Sequence, residues 1–591
     1  MRHRLYTLFI LLMTMVPLLG LAQQHLTVKV DTAGTLSRQL TDSIKYTIGQ
    51  LTVSGQLNGS DLKLIQDIAT RNKTDKKQPT QLLLTDIDLS GATIVGAKDG
   101  VKSKEGELPA GFFSGAKHLQ RASLPGNATS VSKNCFSGCT ALVEVTVPTT
   151  VSEIGSSAFS DCNALPSISL PEGLKTIGSN AFNDCMSLTQ LTVPQNVTTI
   201  GNAAFKGCAA LTDVTIQGRV EKIGSSTFQD CQTLQNVTLP EGLKTIESDA
   251  FRGCKSLKAL SIPTVREIGS SAFVGCPSLE QIDMPEVQSI GNAAFQECNS
   301  LKAVRLTKLT KLSANAFERC ASLTEVDLEG SLSELSADAF KGCASLQSIN
   351  LPKALKTIGG EAFRDCKSLS EITLPMTLTK LGDHAFENCS SLKAITVPAL
   401  VKSLGSSTFE NCTSLNTASI EGFITTLETE VFRNCSNLTQ VKLPISLKKI
   451  GSSAFRECAS LTSITLPISL TELGDNCFDK CVALQRIEVP AAVSQVGSDA
   501  FYGCTSLTQA VLPVGLKKLG SDAFAKCAAL TALQLNSPLP PKTSKSAFKG
   551  VTGLCTLYVP VGTSNGYRLD KVWGAVFSKI TEGTIPVLPI I

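Results

Sequence analysis

The chain has 591 residues, 18% charged and 42% hydrophobic, a balance that excludes wholesale disorder. Its formal net charge is only +4 and no long basic run occurs, which argues against nucleic acid as a partner. Length alone suggests about four domains, but an internal repeat overrides that count.

Residues 1–22 read as an export signal. Arg2 and Arg4 form the positive start, Leu5 to Leu21 the apolar run, and Gly20-Leu21-Ala22 a small-x-small cleavage site before Gln23. Pro17 interrupts the run, which is short for a membrane span, and no other segment approaches transmembrane length. No cysteine near the cleavage point suggests a lipid anchor. The mature protein is therefore expected to be soluble and exported, secreted or displayed at the cell surface, with a periplasmic location as the alternative.

Residues 23–95 form an N-terminal cap region with strand-like Gln50 to Val53 and Leu84 to Leu89 and a helix from Ser60 to Thr70. That helix would place Leu62, Ile65, Ile68 and Ala69 on one face, over the first coil. Lys73 to Lys77 read as a solvated loop.

Residues 96–551 carry the repeat. The phrase A-F-x-x-C-x-x-L returns every 22 or 23 residues, and eighteen cysteines, from Cys139 to Cys527, keep its phase. Such a period marks a solenoid whose units bury a core only by stacking. Between Cys366 and Cys389, Ile372 and Leu374 alternate with Glu371 and Thr373, the period of a strand with one buried face. Pro375 ends the strand, Gly382 permits a turn, and Ala385, Phe386 and Cys389 have the spacing of a short helical turn. Twenty phenylalanines, from Phe113 to Phe548, are expected to stack into a spine. The coils ending at Cys276, Cys298 and Cys320 are one residue short, and the Ile-Gly step changes at Ile246-Glu247, Leu312-Ser313, Leu335-Ser336 and Leu427-Glu428. Residues 552–591 form a C-terminal cap, with a last strand at Leu557 to Pro560 and a closing helix from Tyr567 to Phe577 around Trp573.

Twenty-one cysteines in an exported chain raise the question of disulfides or metal. Ala116 and Val551 hold the cysteine phase in the end coils, so a small buried apolar residue is what that position needs. Cys135 and Cys477 stand at the usual alanine position, Cys555 is unmatched, and no CxxC pair or histidine partner proposes zinc. No cofactor is expected. His25, His118 and His384 sit at variable positions, and no GxSxG, HExxH or phosphate-cradling loop appears, so catalysis is not expected.

The phrase L-T-x-I-x-L-P-x-x-L-x-x-I-G-x-x-A-F-x-x-C, nearly matched from Leu461 to Cys481, resembles the BspA-like leucine-rich repeats of bacteria over about residues 107–560. The fold this implies is an α/β leucine-rich repeat solenoid of 22–23-residue coils. It would have a parallel β-sheet on one side, short helical turns on the other, and caps at both ends. The family resemblance implies a surface or secreted protein of anaerobic mucosal bacteria that binds proteins or mediates adhesion. Its partners would be matrix or plasma proteins such as fibronectin and fibrinogen, or other bacteria. The alternative is a glycan-binding or periplasmic scaffold protein without catalytic activity. No sorting module is evident after the repeats. Asp31-Thr32-Ala33 and Asp42-Ser43-Ile44 look like the D-[ST]-aliphatic O-glycosylation motif of some of these bacteria, at Thr32 and Ser43. A monomer is expected. The outward strand positions Gln281, Asp283, Arg305, Glu325 and Asp327 form the candidate binding patch, with Arg305 paired to an acidic neighbour.

Overall fold

The computed structural model describes residues 24–71, 83–96 and 100–586. The export signal at 1–22 and the loop at 73–77 lie outside the described residues. The chain divides into two compact units, Met1–Gly242 and Leu243–Ile591. Each consists of parallel-strand coils stacked one on the next. Among the described residues, no helix is long and apolar enough to cross a membrane.

The first unit opens with strands Gln24–Val30 and Ile48–Leu57 in parallel register, Leu26 beside Leu51 and Val28 beside Val53. The sequence reading missed the first of these, although Leu26, Val28 and Val30 alternate with polar residues. Helix Gly59–Ala69 follows. It forms because Leu62, Ile65 and Ile68 share a buried face and because Asn58 and Asp61 make a reciprocal capping box. Asp61 Oδ2 accepts from Asn58 N at 3.1 Å and Gly34 N at 2.6 Å, and its Oδ1 accepts from Leu36 N at 3.0 Å. One buried carboxylate thus ties the helix start to the loop before Leu36. Asp61→Ala should cost about 2–3 kcal/mol of that region's stability, because each amide left buried without an acceptor is penalised. Unchanged amide exchange around Gly34 and Leu36 would contradict this.

The second unit displays the repeat. A coil carries a short outer strand such as Ser348–Asn350, a second two-residue strand such as Thr357–Ile358, and a tight turn running into the cysteine. Predicted strands at 371–373 and 463–465 keep their inward Leu374 and Leu466 buried but lie outside assigned strands, so the outer ladder is interrupted there. The second ladder breaks after Lys311–Leu312 and after Ser403–Leu404. The next coil in each case has Glu329 or Glu421 in place of the usual proline, and Ser336 or Glu428 in place of the usual glycine.

The turn is not helical, which corrects the expected helical side of the coil. Glu361 and Asp365 have positive φ (55° and 61°), and the same two phases are left-handed through the stack. Glu361, Phe363 and Asp365 donate their amides to Asp383, Ala385 and Glu387 of the next coil at 2.8–2.9 Å, whereas Arg364 and Cys366 donate back to Glu361 and Phe363. A helix would use every amide internally; here every second one crosses to the next coil. The left-handed residues cost on the order of 1 kcal/mol each, which the inter-coil bonds offset.

Gly382 is conserved in phase for a reason other than turn freedom. Its φ is not positive, but a Cβ there would stand 2.4 Å from Gly360 N of the preceding coil. The phenylalanines stack as expected. From Phe113 to Phe228 in the first unit, ring centroids are 5.1–5.5 Å apart. From Phe251 to Phe548 in the second, they are 5.1–5.9 Å apart. At the end of the second row Phe548 meets Trp573 and Phe577. Two short helices, Ser564–Leu569 and Trp573–Val576, stand where one was expected, and a further strand, Lys579–Glu582, follows the strand expected to be last.

Candidate functional site

The cysteine column is the most regular chemical feature. All twenty-one thiols are free and buried. Each in-phase cysteine does more than fill space. Cys366 Sγ donates to Phe340 O of the preceding coil at 3.2 Å, and Cys389 Sγ to Phe363 O at 3.2 Å, a contact repeated from Cys139 to Cys527. The same carbonyls accept the cysteine amide of their own coil, Cys343 N to Phe340 O at 3.1 Å. Alanine or valine would leave half of that acceptor unused, a role the end coils conceal.

Burial pushes these thiols up, Cys276 and Cys527 to about 12, so they stay protonated and unreactive. The sign of the pH effect follows. Below pH 9, near the ordinary thiol value, both folded and unfolded thiols are neutral. Above it only the unfolded thiols ionise, so the stabilisation is lost as pH rises from about 9 towards 12. Each such thiol should remove up to ~1.4 kcal/mol per pH unit. The urea midpoint is expected to fall steeply between pH 9 and 11, and a flat profile would refute the buried-thiol account.

The predicted patch lies on the outer strands of the second unit. Gln281 and Asp283 flank buried Ile282 on one strand, Ala303 and Arg305 flank Val304 on the next, and Glu325 and Asp327 flank Val326 on the third. Arg305 is the direct lateral partner of Asp327, and Ala303 of Glu325. Gln281 and Asp283 belong to a neighbouring sheet, beside Ala259 and Ser261. The expected ion pair is absent: among the described residues Arg305 makes none, and Asp327 Oδ1 is buried without a hydrogen-bond partner. Both side chains project outward from adjacent strands, where an exposed pair gains little from closing.

Ion pairs gather instead on the turns, a pattern that sequence reasoning missed. The position two before each cysteine reads Glu318, Lys341, Arg364, Glu387, Glu410, Arg433, Arg456, Asp479. Lys341 meets Glu361 at 2.6 Å, Arg364 meets Glu387 at 3.2 Å, Arg433 meets Glu410 at 3.3 Å and Arg456 meets Asp479 at 3.0 Å. His384, expected on the open surface, is half-buried and its Nδ1 lies 2.8 Å from Glu387 Oε2. Burial pushes the Glu410 carboxyl up. Ligand-type atoms of His384, Glu387 and Glu410 lie within 4.8 Å of one another. Arg364 and Arg433 already face the two carboxylates, so the cluster is arranged as an ion-pair network.

In the first unit, Gln50, Asp86, Arg121 and Glu144 stand side by side on successive strands. With His25, Thr52 and Asp88 they line a shallow cavity of about 270 Å³, in which Arg121 pairs with Asp86. Finding this column required the strand register, which the sequence alone does not supply. Thr32 and Ser43 are both exposed.

Stacked coils with an L-x-x-I-x-L outer strand define a leucine-rich repeat protein. The description "BspA type Leucine rich repeat region (6 copies)" matches residues 106–235, 221–346, 333–458 and 425–555, and the chain belongs to this family. Similar solved structures include a leucine-rich repeat protein from Bacteroides ovatus (28% identity over 65% of this chain and 87% of that one, TM-score 0.46). A leucine rich cell surface protein from Faecalibacterium prausnitzii is 24% identical over 58% and 87%, with TM-score 0.30. A leucine-rich repeat protein from Eubacterium ventriosum is 26% identical over 54% and 83%, with TM-score 0.34. No curated protein matches.

Proposed function

We propose that the chain is an exported, non-catalytic protein that binds other proteins at the cell surface through the outer strands of its coils. The observation carrying this reading is the pair Arg305 and Asp327 on adjacent outer strands: opposite in charge and unjoined. Such groups gain more from a partner's hydrogen bonds than from their own chain. Matrix and plasma proteins such as fibronectin and fibrinogen are the ligands that the family suggests. Combined Asp283→Asn, Glu325→Gln and Asp327→Asn should weaken such binding about tenfold or more, measured by surface plasmon resonance. Unchanged affinity removes the patch from consideration. Protease accessibility on intact cells tests display, and full protection would favour a periplasmic scaffold. The polar cavity around Asp86, Arg121 and Glu144 supports a second reading, glycan binding, which a glycan array separates from the first.

A further inference from the structure

In the segment that follows each outer strand, the second unit changes character partway along. The earlier coils place Thr264, Glu286, Lys308, Ser331 and Lys353 there. From the next coil onward the segment carries a large apolar side chain, at its first residue in Met376, Ile445, Ile468 and Val514 and at its second in Leu400 and Phe423, which follow Ala399 and Gly422; only the Ala491-Ala492 coil lacks one. None of these large side chains is buried: Phe423 is 74%, Ile445 82% and Ile468 90% exposed. The fold does not ask for them, since charged residues serve in the same place a few coils earlier. Isolated exposed apolar residues need no explanation, but a contiguous row marks an interaction surface.

From Met376 to Ile468 the row has one large apolar side chain per coil, so it is a narrow ridge in which Leu400 and Phe423 are offset by one residue from the rest. Successive coils beneath it have phenylalanine rings 5.1–5.5 Å apart from Phe386 to Phe524. An α-helix advances about 5.4 Å per turn. Along one flank stand exposed Lys380, Lys402, Lys448, Lys517 and Lys518, which make no ion pair among the described residues. Lys449 pairs with Glu472, an acid on that flank. On the strand side the same coils offer Thr396, Ser419 and Lys442 in lateral register, with no acid among them.

We infer that this ridge docks an amphipathic helix of a partner protein, one with an apolar stripe at i, i+3, i+4, i+7 spacing and acidic residues along one edge. The coil pitch matches the helical turn, the slight offset of Leu400 and Phe423 suits a stripe that alternates between three- and four-residue steps, and the unpaired lysines call for carboxylates. A second copy of this chain would meet the lysine row with more lysine or with the strand positions Thr396, Ser419 and Lys442, none of them acidic. A lipid surface has no periodicity that one apolar side chain per coil would answer, and settling on it would press polar strand positions such as Thr396 and Ser419 into the interface as well.

The test uses the full chain and a synthetic 25-residue Leu/Ala-stripe helix with glutamate flanks, beside the same peptide with lysine flanks. Isothermal titration should show saturable binding of the glutamate peptide, at least about tenfold tighter than the lysine peptide. Phe423→Ser, Ile445→Ser and Ile468→Ser together should abolish it without moving the unfolding midpoint. Lys448→Glu with Lys517→Glu should reverse the preference between peptides. The inference is overturned if both peptides bind equally or not at all, or if the serine variant binds unchanged. It is equally overturned if the ridge substitutions abolish flotation with phosphatidylglycerol vesicles, or a dimer seen by sedimentation, in place of peptide binding.

Discussion

Phe363→Ala should destabilise the second unit by about 3–5 kcal/mol, the range for emptying a fully buried phenylalanine site. Phe363 has no exposed surface and lies between Phe340 at 5.7 Å and Phe386 at 5.2 Å. Neither ring can move into the gap, because each is held by its own neighbour in the row and by an inter-coil bond from its own amide. Coils contact mainly their neighbours, so the damage should be local before it is global. Hydrogen exchange should accelerate first between Phe340 and Phe386, and a urea melt should show the full loss. Uniform acceleration along the unit, or a loss under about 1 kcal/mol, would contradict the stacked-spine account.

Gly405→Ala should be comparably harmful for a different reason. A Cβ on Gly405 would lie 2.3 Å from Asp383 N and 2.4 Å from Gly382 C, both backbone atoms of the preceding coil. No rotamer change relieves a clash with backbone, so the coils must part, at a cost of about 3 kcal/mol or more. Gly553→Ala is the control: nothing lies within 4 Å of its Cβ, and a change within ~0.5 kcal/mol is expected. Two coils show what accommodation looks like. Where Ser336 and Glu428 replace this glycine, the short second-strand ladder is broken on the preceding side, and Ser336 Oγ donates to Leu312 O at 2.8 Å, whereas at Ser313 the ladder from Ile290 to Leu312 is kept. Equal unfolding midpoints for the two alanine variants would dismiss close approach as the reason for the glycine column.

The repeating core was legible because burial imposes one chemistry on each phase: Phe386, Cys389 and Leu392 recur as types, and their period needs no structure to be seen. Helix Gly59–Ala69 was legible from Leu62, Ile65 and Ile68 for the same reason. The non-helical turn was hidden because its left-handed positions are filled by Glu361, His384, Ser407 and Asn476, residues with no common signature. What holds them is the next coil, a contact that lies 22 or 23 residues away in the chain. The thiol donors were masked by the alanine and valine at the ends of the series. The alternation of Gln281, Asp283, Arg305, Glu325 and Asp327 with buried Ile282, Val304 and Val326 follows from strand period, but the missing Arg305 ion pair depends on side-chain directions that strand period does not set. The charged column ending in Asp479 was present in plain view, two residues before each cysteine, and went unread because the neighbouring phases are variable.

The alternate-amide turn has a consequence for how the stack could be cut. His384, Phe386 and Asn388 give their amides to Ser406, Thr408 and Glu410 of the following coil. A protein truncated after Cys389 would end in a row of donors with no acceptors, laid out at the geometry of an incoming coil. The opposite end of a similar fragment would offer the complementary carbonyls. Two such fragments are a plug and a socket, and because the contact is head-to-tail, nothing in it closes the chain of additions. Shortened forms should therefore grow end to end into filaments unless a terminal segment, such as the one built around Trp573, is grafted back onto the cut.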